Sequence, residues 1–133
     1  MKLRISGFAI CLFMLSSCTQ SHQYDVYVKN STEGDIRVEY STQRHKDGIK
    51  DDVVVLKKGE RHKLFSSANF NSDPPTVKTR KEDCSLVADY VRAFNNEGVE
   101  SGIKWCSDRI DFTIVDIGQG EFFIDYTDLD FRD

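Results

Sequence analysis

Cysteine has the most reactive side chain in this sequence, and the four cysteines differ in their surroundings. Cys11 and Cys18 lie in or just after an apolar stretch, whereas Cys84 and Cys106 lie 22 residues apart in the polar remainder. Neither Cys84 nor Cys106 has a cysteine or histidine close by in sequence, so no metal site is expected. Outside the cytoplasm such a pair usually forms a disulfide, which contributes about 3 kcal/mol; two free thiols are the alternative.

The histidines and the aspartates near the carboxyl end show no catalytic spacing. His22, His45 and His62 do not pair at ligand spacing, which indicates solvated surface histidines. Asp128 and Asp130 offer carboxylates to Ca²⁺, but the glycine and glutamate of a calcium loop are missing. We therefore expect no catalytic residue, no metal and no cofactor. Paired carboxylates that only folding brings together remain the enzymatic alternative.

Aromatic residues are the remaining group with a potential role. Most must lie in a core, but alternation places Tyr27 and Phe123 on the opposite face of their strands. With Trp105 they form a candidate binding surface for a partner protein or a glycan. Cover by the segment 67–82 is the alternative explanation of these exposed rings.

Composition limits the classes of partner. Residues 1–17 hold two of the 18 basic residues and none of the 22 acidic ones, so residues 18–133 carry a net charge near −6. This balance argues against nucleic acid, which binds clustered lysine and arginine. The remaining 116 residues suit one domain.

Alternating apolar residues predict strands along most of the chain. Residues 24–42 are interpreted as a hairpin with a turn at 30–34, and 43–52 as a polar surface loop. Val53–Leu56 is predicted as a strand with apolar residues on both faces, followed by a turn and a strand at 62–66. Residues 68–78, which include two prolines, are predicted as an irregular loop.

Residues 85–95 fit both a helix and a strand. We favour a strand at 88–94 after a short helical turn at 84–87, with a turn at 95–98; a helix at 85–95 remains open. Two further strands around a turn at 118–120 predict a hairpin near the end. Seven or eight short strands predict an all-β antiparallel sandwich, with a small barrel or an α+β fold as alternatives.

The amino terminus has the organisation of a secretion signal. Lys2 and Arg4 precede an apolar run at 5–15 that is too short to span a bilayer. Leu15-Ser16-Ser17-Cys18 follows and resembles the lipobox of bacterial lipoproteins. The resemblance implies removal of residues 1–17, lipidation of Cys18, a tether at 18–23 and one β-sandwich domain at 24–133. An ordinary signal peptide is the alternative.

The residues after Cys18 bear on location. In bacterial lipoproteins an aspartate in the next position often retains the protein in the inner membrane, and Thr19 occupies it here. An acidic run that favours surface display is also missing from residues 19–23. The resemblance therefore implies a lipid anchor in the outer membrane of a bacterial envelope, facing the periplasm.

Two further motifs resemble small predicted lipoproteins of Gram-negative gut bacteria. They are the first strand, 24–32, and the turn Lys58-Gly59-Glu60. The resemblance implies an immunoglobulin-like fold without an assigned activity. Trp105 departs from the antibody pattern because it directly precedes Cys106.

These observations together predict a membrane-anchored, non-catalytic binding module, whose partner is an envelope protein or a glycan. A small envelope enzyme with a carboxylate site and a carrier of a small apolar ligand are the alternatives.

Overall fold

The computed structural model describes residues 22–45, 48–70, 81–116 and 118–132. Within these ranges seven strands form the fold: β1 His22–Asn30, β2 Ile36–His45, β3 Gly48–Leu56, β4 Arg61–Phe70, β5 Ala88–Asn95, β6 Asp111–Asp116 and β7 Gln119–Tyr126. They are joined by one short helix, α1 Cys84–Val87, and by two 3₁₀ turns, Lys81–Asp83 and Asp128–Phe131.

The strands form two packed sheets. One has the order β4-β1-β7-β6 and the other the order β3-β2-β5. The prediction of an all-β sandwich with seven or eight strands is confirmed, and the sheets do not close into a barrel. Immunoglobulin constant-type domains have the same division into four and three strands, with a different order of strands in each sheet.

One pair of neighbours is parallel, although we predicted antiparallel pairing throughout. β1 and β7 run side by side in the same direction, from Gln23 opposite Gln119 to Asn30 opposite Tyr126. The other strand pairs are antiparallel. Successive strands reverse direction along the chain, so the first and the seventh point the same way. They can become neighbours only as a parallel pair.

The core lies between the two sheets and follows the period-two alternation of the strands. Tyr24, Val26 and Val28 of β1 point inward beside residues of β7, and residues of β2 in the other sheet are buried with the same alternation, at Ile36, Val38 and Tyr40. Each such side chain contributes about 1.5–3 kcal/mol when fully buried. The largest fully buried side chains are Tyr24, Tyr126, Phe122, Ile36, Leu56, Ile110 and Ile124.

The predicted hairpin at 24–42 is wrong, because β1 and β2 belong to different sheets. Asn30 is fully buried where the chain leaves β1, and its side-chain amide donates to the carbonyl oxygens of Gly34 and Leu56. Its oxygen accepts from the backbone and the hydroxyl of Thr32. These bonds fix a crossing between the sheets that strand alternation alone does not reveal.

The predicted loop at 43–52 is also wrong. β2 and β3 form a long hairpin whose register continues to His45 opposite Gly48. Backbone pairing extends the strands through residues whose polarity suggested a loop. Of the apolar run in β3, Leu56 is buried but Val53 and Val55 are exposed, since β3 is an edge strand with one face toward solvent.

β4 is longer than predicted and includes Ala68–Phe70, which we assigned to a loop. The rest of that loop, 71–78, lies outside the described residues, and so does most of the segment 67–82 that was the alternative cover of the aromatic rings. For residues 85–95 the favoured prediction of a strand after a short helical turn is confirmed. α1 precedes β5, and a turn follows at 95–98. The β6–β7 hairpin is confirmed.

Candidate interaction surface

Tyr27 and Phe123 lie next to each other on the outer face of the four-stranded sheet. They are register partners in the parallel pair β1–β7, and both are half-buried. Their neighbours Val26, Val28 and Phe122 are buried on the inner face. The structure therefore brings together two of the three aromatic residues that the sequence nominated.

Arg61 of β4 completes this cluster. Its guanidinium carbon lies 4.6 Å from the ring centre of Tyr27 and 5.2 Å from that of Phe123. A guanidinium nitrogen also donates to Glu121 Oε1 at 3.1 Å. Cation–π contacts contribute about 0.5–1 kcal/mol at exposed sites, so the rings and Glu121 together hold the cation in place. We call Tyr27, Phe123, Arg61 and Glu121 the Tyr27–Phe123 surface.

The rim of the Tyr27–Phe123 surface carries charges of both signs. Lys63 lies opposite Tyr27 on β4, and Asp111 lies opposite Phe123 on β6. Lys29 and Asp125 occupy the next outward positions of β1 and β7. An aromatic centre with arginine and a charged rim has the composition of a protein-binding patch.

No sequence pattern indicates Arg61 as a member of this surface. Its closeness to Tyr27 and Phe123 depends on the pairing of β1 with both β4 and β7. Those contacts are separated by long stretches of chain, and no local pattern reports them.

Trp105 does not belong to the Tyr27–Phe123 surface. Its ring centre lies 5.4 Å from that of Phe122, which points inward, and so it packs against the core. Its indole N–H donates to the carbonyl oxygens of Cys84 and Ala88, at 3.0 Å each. The indole thus closes the start of β5 rather than facing a partner.

Cys84 and Cys106 form the predicted disulfide, with a Cα–Cα distance of 5.7 Å. The bond joins α1 to the segment that carries Trp105. Cys106 has φ 70°, in the left-handed region that non-glycine residues seldom adopt. Because Trp105 and Cys106 are adjacent, the indole hydrogen bonds and the disulfide anchor the same turn twice.

The acidic residues near the carboxyl end are engaged within the fold. Asp130 accepts hydrogen bonds from Arg109 at 2.6 Å and from the backbone and hydroxyl of Thr127 at 2.8 and 3.1 Å. Burial alone would raise the pKa of Asp130, but these bonds outweigh it and lower the pKa below its ordinary value. Asp128 accepts from the backbone N–H of Glu33 at 3.3 Å.

A cleft of about 320 Å³ lies beside the turn after β1 and includes Glu33, Asp35, Glu97 and Asp128 in its walls. Lys58 lies 2.7 Å from Glu33, and its hydrogen bond and charge lower the pKa of that carboxyl. Glu33 is therefore ionised near neutral pH and does not act as a proton donor.

The remaining candidates for chemistry are dispersed. His62 is exposed at the start of β4, and the side chains of His22 and His45 lie outside the described residues. Ser101 and Lys104 have the Ser-x-x-Lys spacing of some acyl-enzymes. Ser101 is buried, however, and its hydroxyl oxygen accepts a hydrogen bond from the N–H of Ile103. Lys104 instead pairs with Glu100 at 3.7 Å.

Within the described ranges, no group of three or more histidine, cysteine, aspartate and glutamate side chains is placed to hold a metal ion. No helix in this part of the chain is both long and apolar enough to cross a membrane. Residues 1–21, including Cys18, lie outside the described part.

The chain was compared with known proteins at the level of sequence. It matches no model of a known protein family. It also has no significant match among curated proteins.

Proposed function

We propose that this protein is a lipid-anchored lipoprotein of the bacterial envelope whose domain is a non-catalytic interaction module. The anchor rests on Leu15-Ser16-Ser17-Cys18 behind a short apolar run and two cations. Thr19 in the position after the cysteine favours the outer membrane, with the domain facing the periplasm. A disulfide between Cys84 and Cys106 is in keeping with an oxidising compartment.

The start of β1 supports a position close to the bilayer. β1 begins at His22, four residues after Cys18. A fully extended chain of that length reaches at most about 14 Å. The domain would therefore stand directly at the membrane rather than on a long stalk.

The observation that carries the interaction role is the Tyr27–Phe123 surface. Two half-buried aromatic rings lie under one guanidinium, with charged residues around them. Aromatic residues and arginine are enriched in protein interfaces. Arg61 covers both ring faces, which leaves little room for a sugar to stack on them. This favours an envelope protein over a glycan, and one with a carboxylate that can meet Arg61.

The anchor is tested by Cys18→Ala in the full-length protein, followed by fractionation of cells. We expect the variant to leave the membrane fraction, because a lipid chain can no longer be attached. An unchanged membrane fraction for Cys18→Ala would contradict the anchor.

The interaction surface is tested by capture of the lipidated protein from its own envelope, with bound proteins identified and quantified. Phe123→Ala should reduce the main bound protein at least tenfold. The matched control is Tyr90→Ala, because Tyr90 is also half-buried and lies 4.4 Å from the guanidinium of Arg92, on the other sheet. Equal capture by Phe123→Ala and the unaltered protein, or turnover of a glycan or ester, would refute the proposal.

A further inference from the structure

β3 forms an edge of the three-stranded sheet, and its outer face is apolar. The order β3-β2-β5 leaves one side of β3 without a neighbouring strand among the described residues. Val53 and Val55 are 53% and 57% exposed. Edge strands of this kind are templates for pairing with another chain.

The backbone donors on this side point outward. The N–H of Val53 donates to Asp52 Oδ1 at 2.8 Å, and the N–H of Lys57 donates to Glu60 Oε1 at 3.1 Å, so neither serves the ladder with β2. Alternate residues of a strand direct their N–H groups the same way, and Val55 lies between these two. β3 therefore directs the donors and acceptors of residues 53, 55 and 57 away from β2, and carboxylates of the same chain occupy the donors of 53 and 57.

The order of charges along β3 makes this edge complementary to the same edge of a second copy. The sequence reads acidic at 51–52, apolar at 53–56 and basic at 57. In an antiparallel pair of identical strands, the acidic end of each copy meets the basic end of the other. Lys58 does not extend the row, because it pairs with Glu33 at 2.7 Å where the chain turns away.

We propose that β3 pairs antiparallel with β3 of a second copy of this chain, about a two-fold axis at Val54. Val53 then lies opposite Val55 of the other copy, and by backbone register Asp51 lies opposite Lys57. The two three-stranded sheets become one six-stranded sheet. In this pairing the N–H of Val53 no longer donates to the Asp52 carboxylate and donates instead to a backbone carbonyl oxygen of the other copy.

The register follows from symmetry. A two-fold axis perpendicular to a sheet keeps outward residues outward, so an odd-numbered residue must face an odd-numbered one. An axis at Val55 would also satisfy this rule, but it would place Val53 opposite Lys57. The axis at Val54 pairs valine with valine and acid with base, which are favourable cross-strand pairs.

Of the other edge strands, β4, β5 and β6, only β6 carries exposed large apolar side chains among the described residues, and it does not share the charge pattern of β3. β6 carries Ile114 and Val115 at 46% and 50% exposure, but has aspartate at both ends and no lysine or arginine. Two copies of β6 would bring acidic ends together without a cation to meet them. The self-complementary charges thus favour β3 over β6.

Single-cysteine variants of the full-length protein in its membrane test the register. Val54→Cys should form a cross-linked dimer on a non-reducing gel, because opposed residues at a pair without hydrogen bonds have Cα atoms about 4.5 Å apart, within disulfide range. Val53→Cys and Val55→Cys are the matched controls, since each lies opposite a valine. Cross-linking at 53 or 55 in place of 54, or at none of the three, would overturn the proposal.

A charge exchange tests the same pairing without a new cysteine. Asp51→Lys and Lys57→Asp should each weaken the dimer about tenfold, measured as its dissociation constant by light scattering in detergent. The double variant exchanges both charges and should restore the original affinity, whereas Lys104→Asp on another surface should not change it. A double variant no better than the single ones, or a protein that is monomeric throughout, would refute the pairing.

Discussion

Asp130 is the residue whose charge ties the end of the chain to the domain. It is 7% exposed and accepts three hydrogen bonds, from Arg109 and Thr127. Its backbone carbonyl also accepts from the N–H of Gly102 at 2.8 Å. The carboxylate must be ionised to accept all three side-chain bonds, which is why its pKa is lowered.

We expect Asp130→Asn to lower the free energy of unfolding by about 1.5–3 kcal/mol at pH 7, the usual contribution of hydrogen bonds to a charged group. Since the pKa of Asp130 is lower in the folded state, its contribution is present above the unfolded pKa near 4 and is lost as pH falls through the folded pKa. Urea unfolding at pH 7 and at pH 3 measures both effects. Asp108→Asn, at an exposed position, is the control. If Asp130→Asn lowers the free energy of unfolding by the same amount at pH 7 and at pH 3, this role is contradicted.

Tyr126 presents the opposite situation, a buried group without a hydrogen-bond partner. Its side chain is fully buried, and its hydroxyl contacts no donor or acceptor among the described residues. Burial, together with the charge of Asp130, raises the pKa of Tyr126 well above its ordinary value. The hydroxyl therefore stays neutral in the fold at pH values where the hydroxyl of an unfolded tyrosine ionises.

We expect Tyr126→Phe to leave the protein as stable as before, or to stabilise it by up to about 1 kcal/mol, because an unsatisfied hydroxyl is removed. The raised pKa contributes stability below pH 10, which is lost as pH rises above the pKa of unfolded tyrosine. Thermal unfolding at pH 8 and pH 11 measures this. Tyr40→Phe is the comparison, because Tyr40 donates to the carbonyl of Leu64 and its removal should destabilise. A loss of more than 1 kcal/mol in Tyr126→Phe at pH 8 would contradict the assignment.

Among the elements, the turn at 105–106 has two independent attachments, the disulfide and the Trp105 indole. We expect replacement of both Cys84 and Cys106 by serine to lower the free energy of unfolding by about 3 kcal/mol. The fold should remain, because the indole still donates to Cys84 and Ala88 through their backbone carbonyls. Chemical denaturation followed by Trp105 fluorescence reports both points.

Two outcomes would contradict that interpretation. A solvent-exposed indole in the folded double variant would show that the disulfide alone positions Trp105. A change below 1 kcal/mol would show that the loop is already constrained in other ways. Trp105→Phe in the oxidised protein is the matched control, since it removes the indole bonds and keeps the disulfide. Its unfolding is followed by circular dichroism, because no tryptophan remains.

Strand positions could largely be predicted from the sequence, but their neighbours could not. Alternation identified β1, β6 and β7, and the turn chemistry at 95–98 decided that 88–94 is a strand. Asn95 Oδ1 accepts from the N–H groups of Glu97 and Val99, and Gly98 has φ 83°. Those are local interactions, and local patterns report them.

The errors came from long-range pairing. Residues 43–52 are polar, yet they extend β2 and β3 because each strand supplies the other with backbone partners. The same limit applies to the candidate surface. Tyr27 and Phe123 were nominated from alternation, whereas their closeness and the position of Arg61 depend on the neighbours of β1.

For the whole molecule, the proposed pairing of β3 and the proposed lipid anchor together constrain how two copies lie at a membrane. The two-fold axis is perpendicular to the three-stranded sheet, so the strands of the two copies run in opposite directions. The starts of the two β1 strands then lie at opposite ends of the dimer. If both copies are anchored in one bilayer, their strands must lie along the membrane rather than upright.

β7 is the element on which the whole sandwich depends. It supplies buried Phe122, Ile124 and Tyr126 and separates β1 from β6. We expect a chain that ends at Gly118 to lose cooperative thermal unfolding, followed by circular dichroism. A chain that ends at Phe131 should keep it, because Arg132 is exposed. A cooperative transition in the shorter chain would contradict this dependence.

The parallel pairing of β1 with β7 also sets the order of events in biosynthesis. Of the described strands a ribosome makes β1 first and β7 last, and eight consecutive positions of β1 have their register partners in β7. Contacts at such sequence separation form slowly because a long loop must close. The nascent chain therefore carries an incomplete sheet with an open side until its end has been made. If the protein is exported as proposed, the unpaired side of β1 is where a chaperone would bind the unfinished chain.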